Sequence, residues 1–465
     1  MRKMGVIWDM EEIKDIYKKQ REYFNTGATL SYAFRKEQLR RFMNMMNQYE
    51  QDMLDAMAAD IGKSRFEGYT HEIALVKSDI KFALKNLRSW MRDERISDAL
   101  TTFPARHFNH ASPYGNVLLI APWNYPVRLA LLPLVGVIAA GNTTVLKPSE
   151  LAPNMSRVFK RMISETFDSE YLHVVEGGVP ESNALLSQPF NYIFFTGSTA
   201  VGKVVMMAAS KHLVPVTLEL GGKCTTIVDE TASLAIAAKR IVWGRFMNGG
   251  QSCTAPDFVV AHESVKDRLI ELIVKETIDQ WGSNPKENED YGRIVTQRHL
   301  DRLIGFLRDG ELVHGGEHDS EDRYLAPTIL DNIQWDDPIM QEEIFGPILP
   351  IMSYSNWDAL MARLKTMPSP LALYLFSKSR PHEKQVLHEL SFGNACINDV
   401  IMHMANHHLP FGGVGDSGMG RYHGRYSFQT FSHVKGITKT PTWLSIPLRF
   451  APYGSRIKLV RRLLG

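Results

Sequence analysis

The chain has 465 residues, 44% of them hydrophobic and 22% charged, with a formal net charge of +2. That length exceeds one ordinary core and predicts two or three domains of a soluble globular protein, and the near-zero charge argues against a nucleic-acid binder. Three cysteines (Cys224, Cys253 and Cys396) without CxxC spacing exclude a disulfide framework and point to a reducing, cytoplasmic setting.

Residues up to about Asp93 are charged and helix-patterned. Acidic Asp9, Glu11 and Glu12, with no apolar core, argue against a signal peptide. Ala99–Pro113 has the texture of a hairpin. "NVLLIAPWN", "TTVLKPSE", "NYIFFTGS" and "PVTLELGG" then read as short buried strands separated by helical segments. That alternation predicts βαβ units and a largely parallel sheet. The apolar run Leu129–Ala140 contains Pro133 and Gly136 and is too short to span a bilayer. "APDFVVAH", a helix near Val265–Trp281, "PILPIMSY", "LALYLFS" and "NACINDV" form a second series. Two α/β domains meeting near residues 219–253 are expected, with "HVKGITKT" as a late strand outside that rhythm. No acidic residue follows Asp416, whereas Arg421, Arg425, Lys435, Lys439, Arg449, Arg456, Lys458, Arg461 and Arg462 do. The tail puts Ile457, Val460 and Leu464 on one helical face, suited to a partner subunit first and to anionic lipid second.

Two glycine-rich segments imitate nucleotide motifs. "GSTAVGK" (Gly197–Lys203) lies between a strand and a helix, where free N–H groups and the helix dipole suit phosphate. Val204 stands where a P-loop needs Ser or Thr for magnesium, so an ATPase, with "TTIVDE" as its second motif, is disfavoured. "GVGDSG" (Gly413–Gly418) has the G-x-G-x-x-G form, but no strand precedes it and no acidic residue follows it after Asp416. His403, His407 and His408 lack metal-ligand spacing, and no metal is expected.

Cys253, in "GGQSCTAPD", sits after two glycines among small polar residues. It reads as either a loop thiol or a nucleophile. A nucleophile needs a base and an oxyanion donor. Glu219, ending an apolar strand in "LELGGK", is a desolvated base or an ordinary strand-end carboxylate. Asn124, in "APWNYP", is a neutral amide donor or a turn residue.

"APWNYP", "KPSE", "FTGSTAVG", "LELGGK", "GQSCTAPD", "EEIFGP" and "LPFGGVGDSGMGR" follow one another in that order. Together they resemble the aldehyde dehydrogenase superfamily, and "NDVIMHM" and "GMGRYHG" resemble its class 3 branch, which acts on fatty and aromatic aldehydes. The resemblance implies an α/β fold with two doubly wound Rossmann-like domains and a small β bridging element. Residues 1–96 and 114–218 would form the NAD(P)-binding domain and 219–420 the catalytic domain. Residues 97–113 and 421–465 would form the bridging element and tail of a homodimer. It further implies Cys253 as nucleophile, Asn124 and the Cys253 N–H as oxyanion donors, and Glu219 as the hydrolytic base. Gly197, Ser198 and Gly202 would border the pyrophosphate, with Leu220 and Gly221 beside the cofactor. Lys147 and Glu150 would face the adenosine ribose, and Glu343 and Phe345 the nicotinamide ribose and ring. Glu150 favours NAD, with NADP possible. The chain departs from the family in "GGKCTT", where Cys224 and Thr225 replace Ser and Pro; Cys224 is expected to be a small buried core residue. Trp243 and Met247, spaced i, i+4, are core residues or the wall of an apolar substrate tunnel. The tunnel reading suits medium- or long-chain or aromatic aldehydes.

Overall fold

The computed structural model describes residues 10–464. Asp9 and the side chain of Leu464 lie outside the described residues. The chain divides into two compact units: residues up to Trp90 with Pro113–Ser432, and Met91–Ser112 with the residues from His433 onward.

The larger unit contains two main sheets. The first has the strand order Gly418–Met419, Val216–Glu219, Tyr192–Thr196, Asn116–Ile120, Thr143–Lys147, Leu172–Val174. Its neighbours are parallel except for the Gly418–Met419 edge, where Gly418 opposes Glu219. Continuous apolar runs such as Tyr-Ile-Phe-Phe-Thr are buried throughout, as a sheet covered on both faces requires. From Asn116–Ile120 the chain builds outward to Leu172–Val174, then returns to the other side of its starting strand. The strands Asn116–Ile120 and Tyr192–Thr196 therefore flank a topological switch point, where connections leave in opposite directions and open a crevice.

Helix Pro126–Ala140 is buried along its whole length. Pro126 starts it with a preset φ, and Gly141 ends it in the left-handed conformation (φ 88°). It packs on helices Tyr32–Gln48, Ala74–Trp90 and Arg425–Thr430, which explains an apolar run too short for a bilayer. Among the described residues no helix is long and apolar enough to cross a membrane.

The second sheet runs Glu311–His314, Thr328–Asp331, Ile348–Tyr354, Phe258–His262, Thr225–Val228, Ala372–Phe376, Asn394–Ile397. Only the Glu311–His314 edge is antiparallel. Its core includes Ile227, Phe258, Leu330, Ile348 and Leu375.

In the smaller unit Glu94–Ile96 pairs antiparallel with Arg106–Pro113, and Ser432–Lys439 completes a three-stranded sheet. The hairpin thus starts before Ala99, on a strand too short and too charged to carry a pattern. Residues 421–432 go with the larger unit, because helix Arg425–Thr430 packs on Pro126–Ala140.

Candidate active site

A cavity of about 990 Å³ opens at the switch point of the first sheet. Pro122, Trp123 and Asn124 line it after one flanking strand, and Thr196 to Ala200 after the other. Glu219 to Lys223, Cys253, and Glu342, Glu343 and Phe345 close it.

Cys253 reaches this cavity through a constrained loop. Helix Leu234–Phe246 ends in a tight turn where Asn248, Gly249 and Gly250 all have positive φ (53°, 61° and 72°). A Cβ on Gly250 would collide with the Gly346 carbonyl, so the glycines permit both the turn and the close approach. The Asn248 amide donates to the carbonyls of Asn124 (2.9 Å) and Gln251 (3.1 Å), and its N–H donates to Glu67 (3.0 Å). Gln251 donates to the Asn248 and Arg293 carbonyls and accepts from the Val295 N–H. Cys224 is fully buried and its thiol donates to the Cys253 carbonyl at 3.2 Å. Each such bond contributes about 1 kcal/mol net, and together they hold a strained loop in one conformation.

Asn124 is fixed from behind. Its carbonyl accepts from Lys63 Nζ at 2.9 Å, and Lys63 forms a fully buried ion pair with Glu72. Glu72 also accepts from the N–H groups of Val127 and Arg128 (2.8 and 3.2 Å), so one carboxylate satisfies both Lys63 and the open start of helix Pro126–Ala140. The Asn124 side chain donates once, to Gln251 O at 3.1 Å, leaving its second N–H for a group in the cavity.

Glu219 ends its strand 2% exposed, and neither carboxylate oxygen has a hydrogen-bond partner among the described residues. Burial pushes its carboxyl well above the usual range, because an ion there loses water without compensation. Burial also pushes Glu343 up to about 8. Glu343 lies so close to Gly221 that a Cβ there would strike its carboxylate. Cys253 is half-buried, and its thiol is pushed up to about 12 by burial first and by the Glu343 charge second.

Asp257 joins the Cys253 loop to the Glu343 segment. It accepts from Lys223 Nζ (2.6 Å), Arg245 Nη1 (3.4 Å) and the Ile344 N–H (3.1 Å). Arg245, fully buried, also donates to Gly346 O at 2.5 Å. Phe345 adopts positive φ (51°) and packs edge-on against Trp123 at 5.5 Å.

The residues fit a dinucleotide. Glycine and small residues leave the mouth of the cavity open at Gly197 and Gly221, and helix Thr199–Ser210 begins there, capped by Ser198. Against this geometry stand the comparisons with known proteins. The sequence pattern described as "Aldehyde dehydrogenase family" matches residues 8–437. The chain belongs to the aldehyde dehydrogenase family.

This aldehyde dehydrogenase is 48% identical over 454 residues to the 4,4'-diaponeurosporen-aldehyde dehydrogenase of Staphylococcus aureus, covering 97% of this chain and 99% of that protein. It is 43% identical over 424 residues to the dimeric NADP-preferring aldehyde dehydrogenase of Rattus norvegicus, covering 91% and 94%. The structure of a substrate-bound state of Staphylococcus aureus AldH aligns with a TM-score of 0.96 at 46% identity, covering 99% of this chain and all of that one (100%). The likeness agrees with the class 3 branch and with two Rossmann-like domains.

The cavity brings together Asn124, Gly197, Ser198, Glu219, Leu220, Gly221, Cys253, Glu343 and Phe345. Gly202 is not in its lining but supports it: a Cβ there would collide with Leu220. Lys147 and Glu150 also lie outside the lining; the buried Lys147 Nζ donates to Pro148 O at 2.7 Å and is 3.6 Å from Glu150. Trp243 packs edge-on against His71 at 6.1 Å and Met247 is buried, neither in this cavity.

Several residues of this aldehyde dehydrogenase carry no isolated sequence signal. Lys63, Glu67 and Glu72 lie in the charged N-terminal third, where a buried carboxylate or ammonium looks like any surface charge. "GVGDSG" forms a 3-10 turn over Gly415–Ser417 and opens the edge strand beside Glu219 at Gly418: Leu220 N–H donates to Ser417 O at 3.1 Å, and a Cβ on Gly418 would hit the Leu218 carbonyl. Gly413 and Gly418 admit backbone, at the Ser417 and Leu218 carbonyls.

Proposed function

We propose that this enzyme oxidises aldehydes to carboxylic acids with NAD or NADP, using Cys253 as nucleophile, Glu219 as base and Asn124 as oxyanion donor. The carrying observation is one cavity at the switch point that holds a thiol, a spare amide N–H and a buried carboxylate with both oxygens unpartnered.

The Cys253 sulfur, deprotonated, adds to the formyl carbon, and the oxygen becomes an alkoxide. The Asn124 amide and the Cys253 N–H donate to that oxygen, where negative charge develops. A bound nicotinamide dinucleotide supplies the hydride acceptor. With the hydride removed, the carbon is held to Cys253 as a thioester. Glu219 takes a proton from water, hydroxide adds to the thioester carbon, and the Cys253–carbon bond breaks to release the acid.

Gly197, Ser198 and Gly202 would admit the pyrophosphate, Leu220 and Gly221 would lie beside the dinucleotide, and Glu343 and Phe345 would hold the nicotinamide ribose and ring. Lys147 and Glu150 would meet the adenosine ribose. Residues up to 90 and 113–218 are assigned to cofactor binding and 219–420 to catalysis, with 91–96 going to the bridging sheet rather than to the cofactor-binding domain. Trp243 and Met247 are read as the wall of the aldehyde tunnel, favouring medium- or long-chain aliphatic or aromatic aldehydes. A cytoplasmic homodimer is proposed, supported by the name of the dimeric rat relative. The bridging sheet and tail would serve the dimer, with lipid attachment through the tail as the second reading. A panel of alkanals and aromatic aldehydes with each dinucleotide, followed by NAD(P)H absorbance, tests the activity. Turnover only with Mg-ATP, and none with NAD or NADP, would sink it.

A further inference from the structure

Arg128 occupies an unusual electrostatic position. It lies in the first turn of helix Pro126–Ala140, four residues after Asn124, where the helix dipole disfavours a cation. It is only 6% exposed. No carboxylate pairs with its guanidinium among the described residues: Glu72 accepts from its backbone N–H and is paired with Lys63. Among the described residues Nη2 donates to the thioether of Met404 at 3.3 Å, a weak acceptor, and Nε is buried without a partner. The helix start and the missing counter-ion both call for an anion.

The surroundings point to the catalytic thiol. Met404 also accepts from the hydroxyl of Thr254, the residue after Cys253, at 3.9 Å, so one sulfur atom separates Arg128 from the Cys253 loop. Two nearby imidazoles also have an unpartnered buried nitrogen, Nε2 of His403 and Nε2 of His423. Their rings both stack on one residue, Phe411 (5.9 and 5.1 Å). Burial, with the Arg128 charge second, lowers His403 to about 4 and His423 well below its usual value. Both rings are therefore neutral at pH 7 and each can donate one N–H. Cys396 Sγ lies 3.3 Å from His403 Nδ1; if its S–H donates there, the tautomer leaves Nε2–H as the free donor. An apolar tunnel would need none of these donors.

We propose that Arg128 determines substrate specificity by binding a carboxylate on the aldehyde chain, with His403 and His423 as secondary donors. This rests on Cys253 as the nucleophile, since it places the carboxylate on the substrate attacked there. It narrows the proposed aliphatic and aromatic aldehydes to those that carry a carboxylate, ω-oxo carboxylates and formylbenzoates.

The experiment compares ω-oxo carboxylates of four, six and eight carbons with alkanals of equal length. The wild type should favour the oxo acid at one or more lengths. Arg128→Met should lower the oxo-acid to alkanal ratio of kcat/KM at that length by about tenfold or more, chiefly through KM of the oxo acid. Arg128→Lys should retain part of the preference. If Arg128→Met does not fold, as judged by NAD-dependent thermal protection, Arg128→Lys and Arg128→Gln decide by the same ratio. An unchanged ratio overturns the proposal. So does equal loss on both substrates with the pH profile of Cys253 alkylation displaced, which would make Arg128 a support of the thiolate. Should the wild type oxidise neither class, the dehydrogenase reading fails by itself. Calorimetric binding of oxo acid against alkanal to Cys253→Ala, with and without Arg128→Met, then still decides the role of Arg128.

Discussion

At the scale of single residues, the cavity combines groups that water alone would keep apart in charge. Cys253→Ala should abolish aldehyde oxidation while NAD still raises the melting temperature, because the thiol is not part of the dinucleotide cradle; loss of both would place Cys253 in cofactor binding. Glu219 gives a prediction of opposite sign for stability and for turnover. Its carboxyl titrates near 4.5 in the unfolded chain and well above that when folded, so it favours the folded state below pH 4.5 and costs stability as pH rises through its folded value. Glu219→Gln should therefore melt higher than wild type at pH 9, with the gap closing toward pH 4. The same variant should release a burst approaching one NADH per site and then turn over slowly, with the thioester visible by mass spectrometry on the Cys253 peptide. If the burst itself disappears while NAD and aldehyde still bind, Glu219 also activates the thiol. Glu150→Gln should improve NADP relative to NAD, since a carboxylate repels a 2′-phosphate; an unchanged ratio of kcat/KM would remove Glu150 from the ribose.

Between single residues and the whole chain, two elements aim these groups. The start of helix Pro126–Ala140 is tied by Glu72 and Lys63, which also fixes the Asn124 carbonyl. Lys63→Met leaves Glu72 buried with an unmatched charge, at a cost of about 3–5 kcal/mol. Urea unfolding should show that loss, and kcat should fall with it because Asn124 is released; a stable variant with normal kcat would mean that Asn248 alone positions the amide. The turn before Cys253 depends on Gly250. Gly250→Ala puts a methyl group against the Gly346 carbonyl at a positive φ, displacing the Glu343–Phe345 segment as well as the thiol. Both aldehyde turnover and thermal protection by NAD should drop, whereas loss of turnover alone would show the segment holds without the glycine.

For the molecule as a whole, the charge is segregated: nine basic residues and no acidic one follow Asp416. Helix Ile457–Leu464 and exposed Trp443, Phe450 and Tyr453 give that end a basic, partly apolar surface. Removing the residues after Pro452 should weaken dimerisation and leave catalysis intact in dimers that form. Sedimentation showing an intact dimer, together with lost binding to anionic vesicles, would assign the tail to lipid instead.

The sequence by itself determined the layered α/β plan, because strands buried on both faces must be apolar throughout and therefore stand out in the chain. It also marked Cys253, Glu219 and Asn124 as candidates, each with an ordinary structural alternative, and their place in an ordered series of motifs carried the family resemblance. Only the tertiary structure decided how Glu72 serves Lys63 and a helix start at once, that "GVGDSG" opens an edge strand at Gly418, and that Arg128 has no carboxylate on its guanidinium among the described residues. In each case the outcome depends on what distant segments bring to a residue. Burial and pairing of a charge depend on what distant segments bring to it, and local sequence records the charge without recording its partner.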